Sequence, residues 1–272
     1  MKSKKKKVII YMFLRVFKLF LITYILFCFF IFFIQKAFIF FPTKTIHAIP
    51  NNVEELYIKT SDNLKLNAWF KDNKSKKVVI FFHGNGGNMF YNLSRLKIYD
   101  DLNFSVLMFD YRGYGKSEGE IKKENDLYID GEAAYRYLKA KGYKDEDIIL
   151  WGQSMGGAIA INTAKNRNID SLVVESTFYS MSRMAKKQFS YLPISILLRY
   201  KFNSFEKIND IKSKVLFIHS KNDEMIDYKN GLDLYNLYKG EKYFLETTGT
   251  HNEGFLSDYE LYVEKLKEFL NK

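Results

Sequence analysis

The stretch Ile-Ile-Leu-Trp-Gly-Gln-Ser-Met-Gly, residues 148–156, joins a short apolar run to a Gly-x-Ser-x-Gly pentapeptide. Residues 158–164 favour a helix, so the segment predicts a strand, a sharp turn and a helix, with Ser154 at the tip of the turn. The two glycines remove side chains that would collide where the strand and the helix approach each other. Because a serine hydroxyl is a weak nucleophile unless such a turn projects it beside a base, Ser154 is a candidate nucleophile. The alternative is a coincidental glycine and serine turn.

A glycine-rich loop, residues 83–88 with the sequence His-Gly-Asn-Gly-Gly-Asn, follows the strongly apolar run of residues 78–82. Such a loop exposes backbone N–H groups that can stabilise the oxyanion formed when an acyl carbonyl is attacked. The alternatives are a phosphate-cradling loop and an ordinary strand-to-helix turn. The segment lacks the Gly-Lys-Ser/Thr ending of a nucleotide-binding loop and does not match Gly-x-Gly-x-x-Gly. Because the serine turn follows it in the appropriate order, we favour the oxyanion interpretation.

Two further candidate residues follow downstream. Residues 215–219 predict a buried strand, and Asp223 comes just after it, where the catalytic carboxylates of open parallel sheets are found. Of the four histidines, His251 alone is both late in the chain and in a predicted loop. The order serine, acid, histidine makes His251 the candidate base and Asp223 its partner. Asp227, four residues on, and Glu175, at the end of the preceding predicted strand, are rival acids.

Several runs resemble the α/β-hydrolase superfamily, and more narrowly its membrane-anchored branch of serine-aminopeptidase-like domains and acyl-protein thioesterases. The similar runs are residues 40–43 (Phe-Phe-Pro-Thr), 83–88, 109–117 (Phe-Asp-Tyr-Arg-Gly-Tyr-Gly-Lys-Ser) and 152–157 (Gly-Gln-Ser-Met-Gly-Gly). The resemblance covers nearly everything from Phe40 to the C-terminus. One departure is the turn at residues 220–223, Ser-Lys-Asn-Asp, where many members have a glycine just after the histidine.

The resemblance implies a role for each candidate residue. Ser154 would be the nucleophile, His251 the general base and Asp223 the acid that orients it. The backbone N–H groups of Asn85 and Met155 would form the oxyanion hole. No cofactor and no metal are implied.

The N-terminal segment predicts a membrane anchor. The chain begins Met-Lys-Ser-Lys-Lys-Lys-Lys and then runs apolar over residues 8–34, interrupted only by Arg15 and Lys18. A cleavable signal peptide is the alternative, but it would have a shorter apolar region and a small-x-small cleavage site, and the span ends in phenylalanines with only Ala37 nearby. We therefore expect residues 1–41 to form a basic tail and an uncleaved signal anchor. Because the lysines precede the span, the N-terminus is predicted to be cytoplasmic, with the catalytic domain on the outer, periplasmic or extracytoplasmic side.

Composition excludes some classes of protein. Eight basic and no acidic residues lie in residues 1–41, so the net charge of +11 leaves about +3 for the rest of the chain. Most of the excess positive charge therefore lies in the N-terminal segment, where it indicates membrane orientation, and no nucleic-acid surface is expected. The single cysteine, Cys28, lies within the apolar span, so residues 42–272 can form no disulfide.

The remaining pattern predicts an α/β fold. Residues 55–59 and 64–70 are strand-like runs joined by a turn, which indicates an antiparallel hairpin. Strands and helical segments then alternate, which is typical of a mostly parallel central sheet with helices on both faces. The pattern predicts strands at residues 78–82 and 105–109, a helix over about residues 89–100 and a last helix over about residues 259–270. Residues 42–272 would form one catalytic domain. Residues 178–205, rich in Met, Phe, Leu and Ile, would form a small lid or, equally, a core helix.

These features together predict a serine hydrolase that cleaves an ester, thioester or amide bond through an acyl-enzyme. Its substrate would be a small-molecule or lipid acyl ester or thioester, or a peptide. The pattern leaves esterase, thioesterase, lipase and peptidase open, because the same residues serve each reaction. The alternative from a different class is a non-catalytic binding protein that keeps the fold and has lost the site.

Overall fold

The computed structural model describes residues 2–271 and is built around one eight-stranded sheet, with a second, two-stranded pairing near the N-terminus. The strands are β1 (Phe41–Pro42), β2 (Glu54–Lys59), β3 (Lys65–Lys71), β4 (Val78–Phe82), β5 (Gly86–Gly87), β6 (Ser105–Phe109), β7 (Ile148–Gln153), β8 (Ser171–Glu175), β9 (Lys214–Ser220) and β10 (Lys242–Thr247). The order in the main sheet is β10-β9-β8-β7-β4-β6-β3-β2. All neighbours from β10 to β6 are parallel, whereas β3 is antiparallel to both β6 and β2.

The central strands are apolar throughout because both of their faces are covered. Along β4, successive side chains point to opposite sides of the sheet. Val78, Ile80 and Phe82 enter one hydrophobic core. Val79 and Phe81 enter the other. The alternation divides one continuous apolar run between two packed layers.

Helices cover both faces of the sheet. They are α1 (Lys2–Ile34), α2 (Lys36–Ile39), α3 (Leu96–Asp101), α4 (Glu124–Ala140), α5 (Met155–Ala164), α6 (Met181–Gln188), α7 (Ile194–Leu197), α8 (Ser204–Lys207), α9 (Lys229–Leu237) and α10 (Tyr259–Leu270). Residues of α4 and α5 pack in one core, and residues of α3 and α10 pack in the other. The predicted fold class, a mostly parallel sheet with an antiparallel hairpin at its start and helices on both faces, is confirmed.

One predicted helix differs from the structure. The pattern predicts a helix over about residues 89–100, whereas a 3₁₀ segment at Met89–Arg95 precedes the short α3. Asn92 has non-helical angles, φ −109° and ψ 16°, and the Asn88 side chain accepts a hydrogen bond from Phe90 N at 3.0 Å. This local capping favours tight turns over a regular helix.

The N-terminal helix extends away from the domain. Lys4–Ile34, 31 residues, is long and apolar enough to cross a membrane, by length and composition alone. Almost none of its most apolar stretch is buried against the rest of the chain. After α2, the chain runs as β1 alongside β5, pairing Phe41 with Gly86 and Pro42 with Gly87. The helix is thus attached to the domain next to the glycine-rich loop.

The segment proposed as a lid or a core helix, residues 178–205, contains α6, α7 and the start of α8. α6 ends at Gln188, and Pro193 lies immediately before α7. The helix α6 contains no buried residue, so it is not a core helix. Met181, Met184 and Ala185 are partly buried and pack on the outside of the core.

Candidate active site

The turn between β7 and α5 holds Ser154 in an unusual backbone conformation. Its φ is 55° and its ψ is −123°, in a region that costs a non-glycine residue roughly 1–3 kcal/mol. Two hydrogen bonds hold this conformation: Ser154 N donates to Glu175 O at 2.9 Å, and Thr177 Oγ1 donates to Ser154 O at 2.8 Å. The turn therefore presents the serine side chain at the carboxyl edge of the sheet.

Glycines allow the turn to pack this closely. A Cβ at Gly156 would collide with the carbonyl group of Phe82 at the end of β4. A Cβ at Gly152 would collide with the backbone of Gly156. Any larger residue at either position would separate α5 from the sheet, as the sequence pattern predicts.

The glycine-rich loop after β4 lies beside the serine. A Cβ placed on Gly84 would lie 3.5 Å from Ser154 Cβ. The carbonyl of Asn85 accepts hydrogen bonds from Phe41 N at 3.0 Å and from the Tyr114 hydroxyl at 2.8 Å. Asn85 Nδ2 also donates to Ile39 O at 2.8 Å. The residues just after the N-terminal helix therefore fix the position of this loop.

Met155, the other candidate oxyanion residue, is the first residue of α5. The N–H groups in the first turn of a helix have no acceptor within that helix, and the helix dipole favours negative charge there. Asn85 and Ser154 line the same cavity, so the structure brings the loop and the start of α5 together.

Asp223 and His251 meet although 28 positions separate them. His251 Nδ1 lies 2.8 Å from Asp223 Oδ2, and both side chains are almost completely buried. Met225 N and Ile226 N donate to Asp223 Oδ1 at 3.0 and 2.7 Å. Burial alone would raise the pKa of Asp223, but hydrogen bonds from His219 and His251 and the charge of His251 outweigh it and hold the pKa well below its ordinary value.

His219, near the end of β9, also contacts the Asp223 carboxylate. Its Nε2 lies 2.8 Å from Ile226 O and 3.3 Å from Asp223 Oδ2, which places one ring N–H between the two acceptors. The side chains of His219 and Asp223 are both fully buried. The sequence pattern does not predict a role for His219; its four-residue spacing from Asp223 was the available signal.

Glu175, the rival acid, has different partners. Arg95 Nη1 and Nη2 donate to its two carboxylate oxygens at 2.8 and 3.0 Å, and Trp151 Nε1 donates at 2.9 Å. The Arg95 guanidinium also lies over the rings of Phe81 and Phe255. Burial would lower the pKa of Arg95, but the Glu175 carboxylate outweighs it and the pKa lies above its ordinary value. The structure therefore does not bring Glu175 to the histidine, and nothing in the sequence pattern marked Arg95 as its partner.

Asp227 is also engaged elsewhere. Its Oδ2 lies 2.9 Å from Lys187 Nζ, and its Oδ1 accepts from Lys229 N at 2.9 Å.

The turn at residues 220–223, which lacks the expected glycine, is held by a side chain instead: Ser220 Oγ accepts a hydrogen bond from Asn222 N at 3.0 Å. This turn keeps Asp223 in position without a glycine.

A cavity of about 630 Å³ lies next to the candidate catalytic residues. Ser154, His251, Gly84 and Asn85 all line it. In the described part of the chain Ser154 Oγ and His251 make no direct hydrogen bond, which is common before a substrate binds. Within residues 2–271 there is also no group of three or more His, Cys, Asp or Glu side chains that could hold a metal ion.

Comparisons with known proteins place the chain in a sequence family. Residues 73–205 match the sequence family described as serine aminopeptidase, S33. The uncharacterized protein R595 of Acanthamoeba polyphaga mimivirus is 33% identical over 240 residues, 79% of this chain and 80% of that protein. Protein bem46 of Schizosaccharomyces pombe is 33% identical over 231 residues, 80% of this chain and 76% of that protein.

One relative is described by its fold, and one solved structure by its activity. Alpha/beta hydrolase domain-containing protein 17C of Mus musculus is 30% identical over 229 residues, 80% of this chain and 68% of that protein. The structure of the Pyrococcus furiosus esterase Pf2001 superimposes with a TM-score of 0.71 at 23% identity, covering 86% of this chain and 97% of that one. This structural likeness supports the fold.

Proposed function

We propose that this chain, which belongs to the α/β-hydrolase superfamily, works as a serine hydrolase with a Ser154-His251-Asp223 triad. It is a hydrolase of the esterase, thioesterase or peptidase type. The observation that best supports the proposal is the 2.8 Å contact between His251 Nδ1 and Asp223 Oδ2, in a cavity that His251 shares with Ser154.

The chemistry follows from that contact. If Nδ1–H donates to the Asp223 carboxylate, the imidazole keeps the tautomer in which Nε2 is free to accept a proton. His251 takes the proton of Ser154 as Oγ attacks the acyl carbonyl, and the N–H groups of Asn85 and Met155 stabilise the oxyanion. The imidazolium then protonates the leaving alcohol, thiol or amine. Water, deprotonated by His251, attacks the acyl-enzyme; the bond to Ser154 Oγ then breaks, the imidazolium returns its proton to Oγ, and the acid is released.

The cavity favours an ester or thioester over an aminoacyl substrate. Of the described residues that line it, none is an aspartate or glutamate. A substrate α-ammonium group buried there would lose its hydration without gaining a carboxylate partner, which is costly. A peptidase remains the second candidate within the enzyme class, because the matching family is described as serine aminopeptidase.

A fluorophosphonate probe tests the nucleophile directly. Wild-type protein should be labelled, and Ser154→Ala should lose both labelling and hydrolysis of p-nitrophenyl acetate while keeping its circular dichroism spectrum. Ser94→Ala is the matched control because Ser94 lines the same cavity, and this variant should stay labelled. Labelling that persists in Ser154→Ala would remove Ser154 from the nucleophile role, and an unlabelled wild type would favour a non-catalytic binding protein.

The position of the domain relative to the membrane is a second part of the proposal. The long apolar helix fits a membrane anchor, and the lysines before it favour a cytoplasmic N-terminus with residues 42–272 outside. Protease added to intact cells or spheroplasts should degrade the domain and spare a short N-terminal fragment. Protection of the whole domain would show the opposite orientation.

A further inference from the structure

A second cavity adjoins the cavity around Ser154. Its volume is about 580 Å³, and it shares Phe41, Asn85 and Met225 with the first. Its size falls within the range of about 300–1,000 Å³ that is typical of ligand pockets. A ligand could therefore extend from the serine into the second cavity without leaving the protein surface.

The walls of this second cavity, which we name the anchor groove, come from two parts of the chain. Phe27 and Ile31 of α1 form one side, and Met184, Ala185 and Leu192 of the segment 178–205 form the other. These side chains present hydrocarbon and a thioether but no charge, so the space between them suits an aliphatic chain. Three charged side chains also line the groove: Lys187 of α6, and Glu224 and Asp227, which follow Asp223 in the chain. Lys187 Nζ and Asp227 Oδ2 lie 2.9 Å apart, so two of these charges pair with each other.

Specific hydrogen bonds hold the two walls together. Gln35 Nε2 donates to Leu197 O at 3.1 Å, and Arg199 N donates to Gln35 Oε1 at 2.8 Å. Deeper along α1, the Tyr24 hydroxyl donates to Tyr191 O at 2.7 Å. The side chain of Gln35 is buried by these contacts. The groove is therefore a built feature, with the membrane helix as part of its structure.

The position of the groove places it at the level of the lipids. Phe27 lies about 10 Å along the helix from Ile34, at 1.5 Å per residue, which is less than the roughly 15 Å of one leaflet. On the same segment, Tyr191 and Ile196 are 61% and 81% exposed. Large exposed apolar side chains next to a membrane helix are typical of a surface that dips into the bilayer.

We propose that the anchor groove binds the acyl chain of the substrate, so that the preferred substrate is a long-chain acyl ester or thioester whose chain is drawn from the same bilayer as α1. This inference rests on the proposed function, because the acyl carbonyl must lie at Ser154. The chain passes Phe41, Asn85 and Met225 and lies between α1 and the segment 178–205. The membrane helix thereby has two functions: it anchors the protein and forms one wall of the substrate site.

The proposal predicts a dependence on chain length. Each methylene that moves from water into the groove should strengthen binding roughly fourfold, until the groove is full. Full-length protein in lipid nanodiscs should therefore hydrolyse p-nitrophenyl esters with a kcat/KM that rises from C2 to C12 or C16, at substrate concentrations below micelle formation.

Two variants fill the groove from opposite sides. Ile31→Trp adds bulk from α1, and Ala185→Trp adds bulk from α6. Loss of space for two or more methylenes should lower the ratio of kcat/KM for C16 to that for C2 by more than about tenfold in both variants. Ile25→Trp is the matched control, because Ile25 is on the same helix, is 56% exposed and does not line the groove. Its ratio should equal that of the wild type.

The outcomes separate this inference from the proposed function. A wild type that hydrolyses the C2 ester through Ser154 but shows a flat chain-length profile would overturn the acyl-chain groove and leave the serine hydrolase in place. Unchanged ratios in both tryptophan variants would mean that the groove holds only bilayer lipid, and would overturn it too. Absence of Ser154-dependent hydrolysis of any ester would contradict the proposed function itself.

Discussion

Asp223 and Glu175 are both carboxylates at the carboxyl ends of neighbouring parallel strands, yet their surroundings differ. Asp223, after β9, faces two histidines and two backbone N–H groups next to the cavity. Glu175, at the end of β8, forms a two-point ion pair with Arg95 and accepts from Trp151. One carboxylate is arranged to orient an imidazole, and the other balances a buried guanidinium.

The difference shows that strand-end position alone does not make a carboxylate catalytic. A catalytic acid needs a partner whose protonation changes during the reaction, as an imidazole's does. An arginine remains charged throughout, so the Arg95–Glu175 pair is suited to holding the structure beneath the serine turn. The carboxyl edge of this sheet thus contains the proposed catalytic carboxylate and a structural ion pair side by side.

The largest expected effect is on turnover when Asp223 is neutralised. Asp223→Asn should lower kcat by about 10⁴-fold, because an amide favours the wrong imidazole tautomer. Asp210→Asn is the matched control, since Asp210 forms an exposed ion pair with Lys165, lines neither cavity and should keep kcat within about twofold. Ester hydrolysis under saturating substrate measures both. Nearly full activity in Asp223→Asn would remove Asp223 from the proposed triad.

Neutralising Glu175 should instead affect stability. Glu175→Gln leaves the buried charge of Arg95 without its partner, which should lower the free energy of unfolding by about 3–5 kcal/mol. Denaturant titration of the domain transition measures this loss. The double variant Glu175→Gln/Arg95→Met should recover a large part of it because no unpaired charge remains. If Glu175→Gln folds normally but loses turnover as Asp223→Asn is expected to, the two carboxylates have been assigned the wrong way round.

A smaller effect is expected at His219, as a positioning residue for Asp223. His219→Ala removes a hydrogen bond to a charged group, worth roughly 1.5–3 kcal/mol, and should lower kcat by about tenfold or more. The pH profile of kcat/KM should also shift on its acid side, which a purely structural defect would not cause. His219→Asn can still donate to the carboxylate and should partly restore both; if it restores neither, the carboxylate does not depend on that hydrogen bond.

The smallest expected effect is the dependence of stability on pH. The depressed pKa of Asp223 means that its carboxylate form is favoured in the folded protein. Its stabilising contribution is therefore complete above the unfolded pKa of about 3.9 and is lost as the pH falls towards the folded value. The wild type should therefore lose stability relative to Asp223→Asn as the pH falls from about 5 to about 3. A difference that is constant over this range would contradict the depressed pKa.

The sequence by itself determined most of the fold. The predicted strands at Val78–Phe82 and Ser105–Phe109 and the last helix, Tyr259–Leu270, have the observed bounds, and the antiparallel hairpin is also correct. These elements follow from local patterns of apolar residues and turn glycines, which act over a few neighbouring positions. The serine turn was visible for the same reason, because its glycines are required by contacts within one strand-turn-helix unit.

Only the tertiary structure decided which side chains meet. In sequence, Asp223 is the preferred acid but Asp227 and Glu175 remain as rivals, and Arg95 lies 80 positions from the glutamate it neutralises. The groove between α1 and the segment 178–205 depends on contacts across more than 160 positions. No local pattern records such pairings, because they arise when separate elements pack. The catalytic roles of Ser154, Asp223, His251, Asn85 and Met155 are predictions from the sequence. The packing of the sheet is what brings these residues, distant in the chain, to one edge.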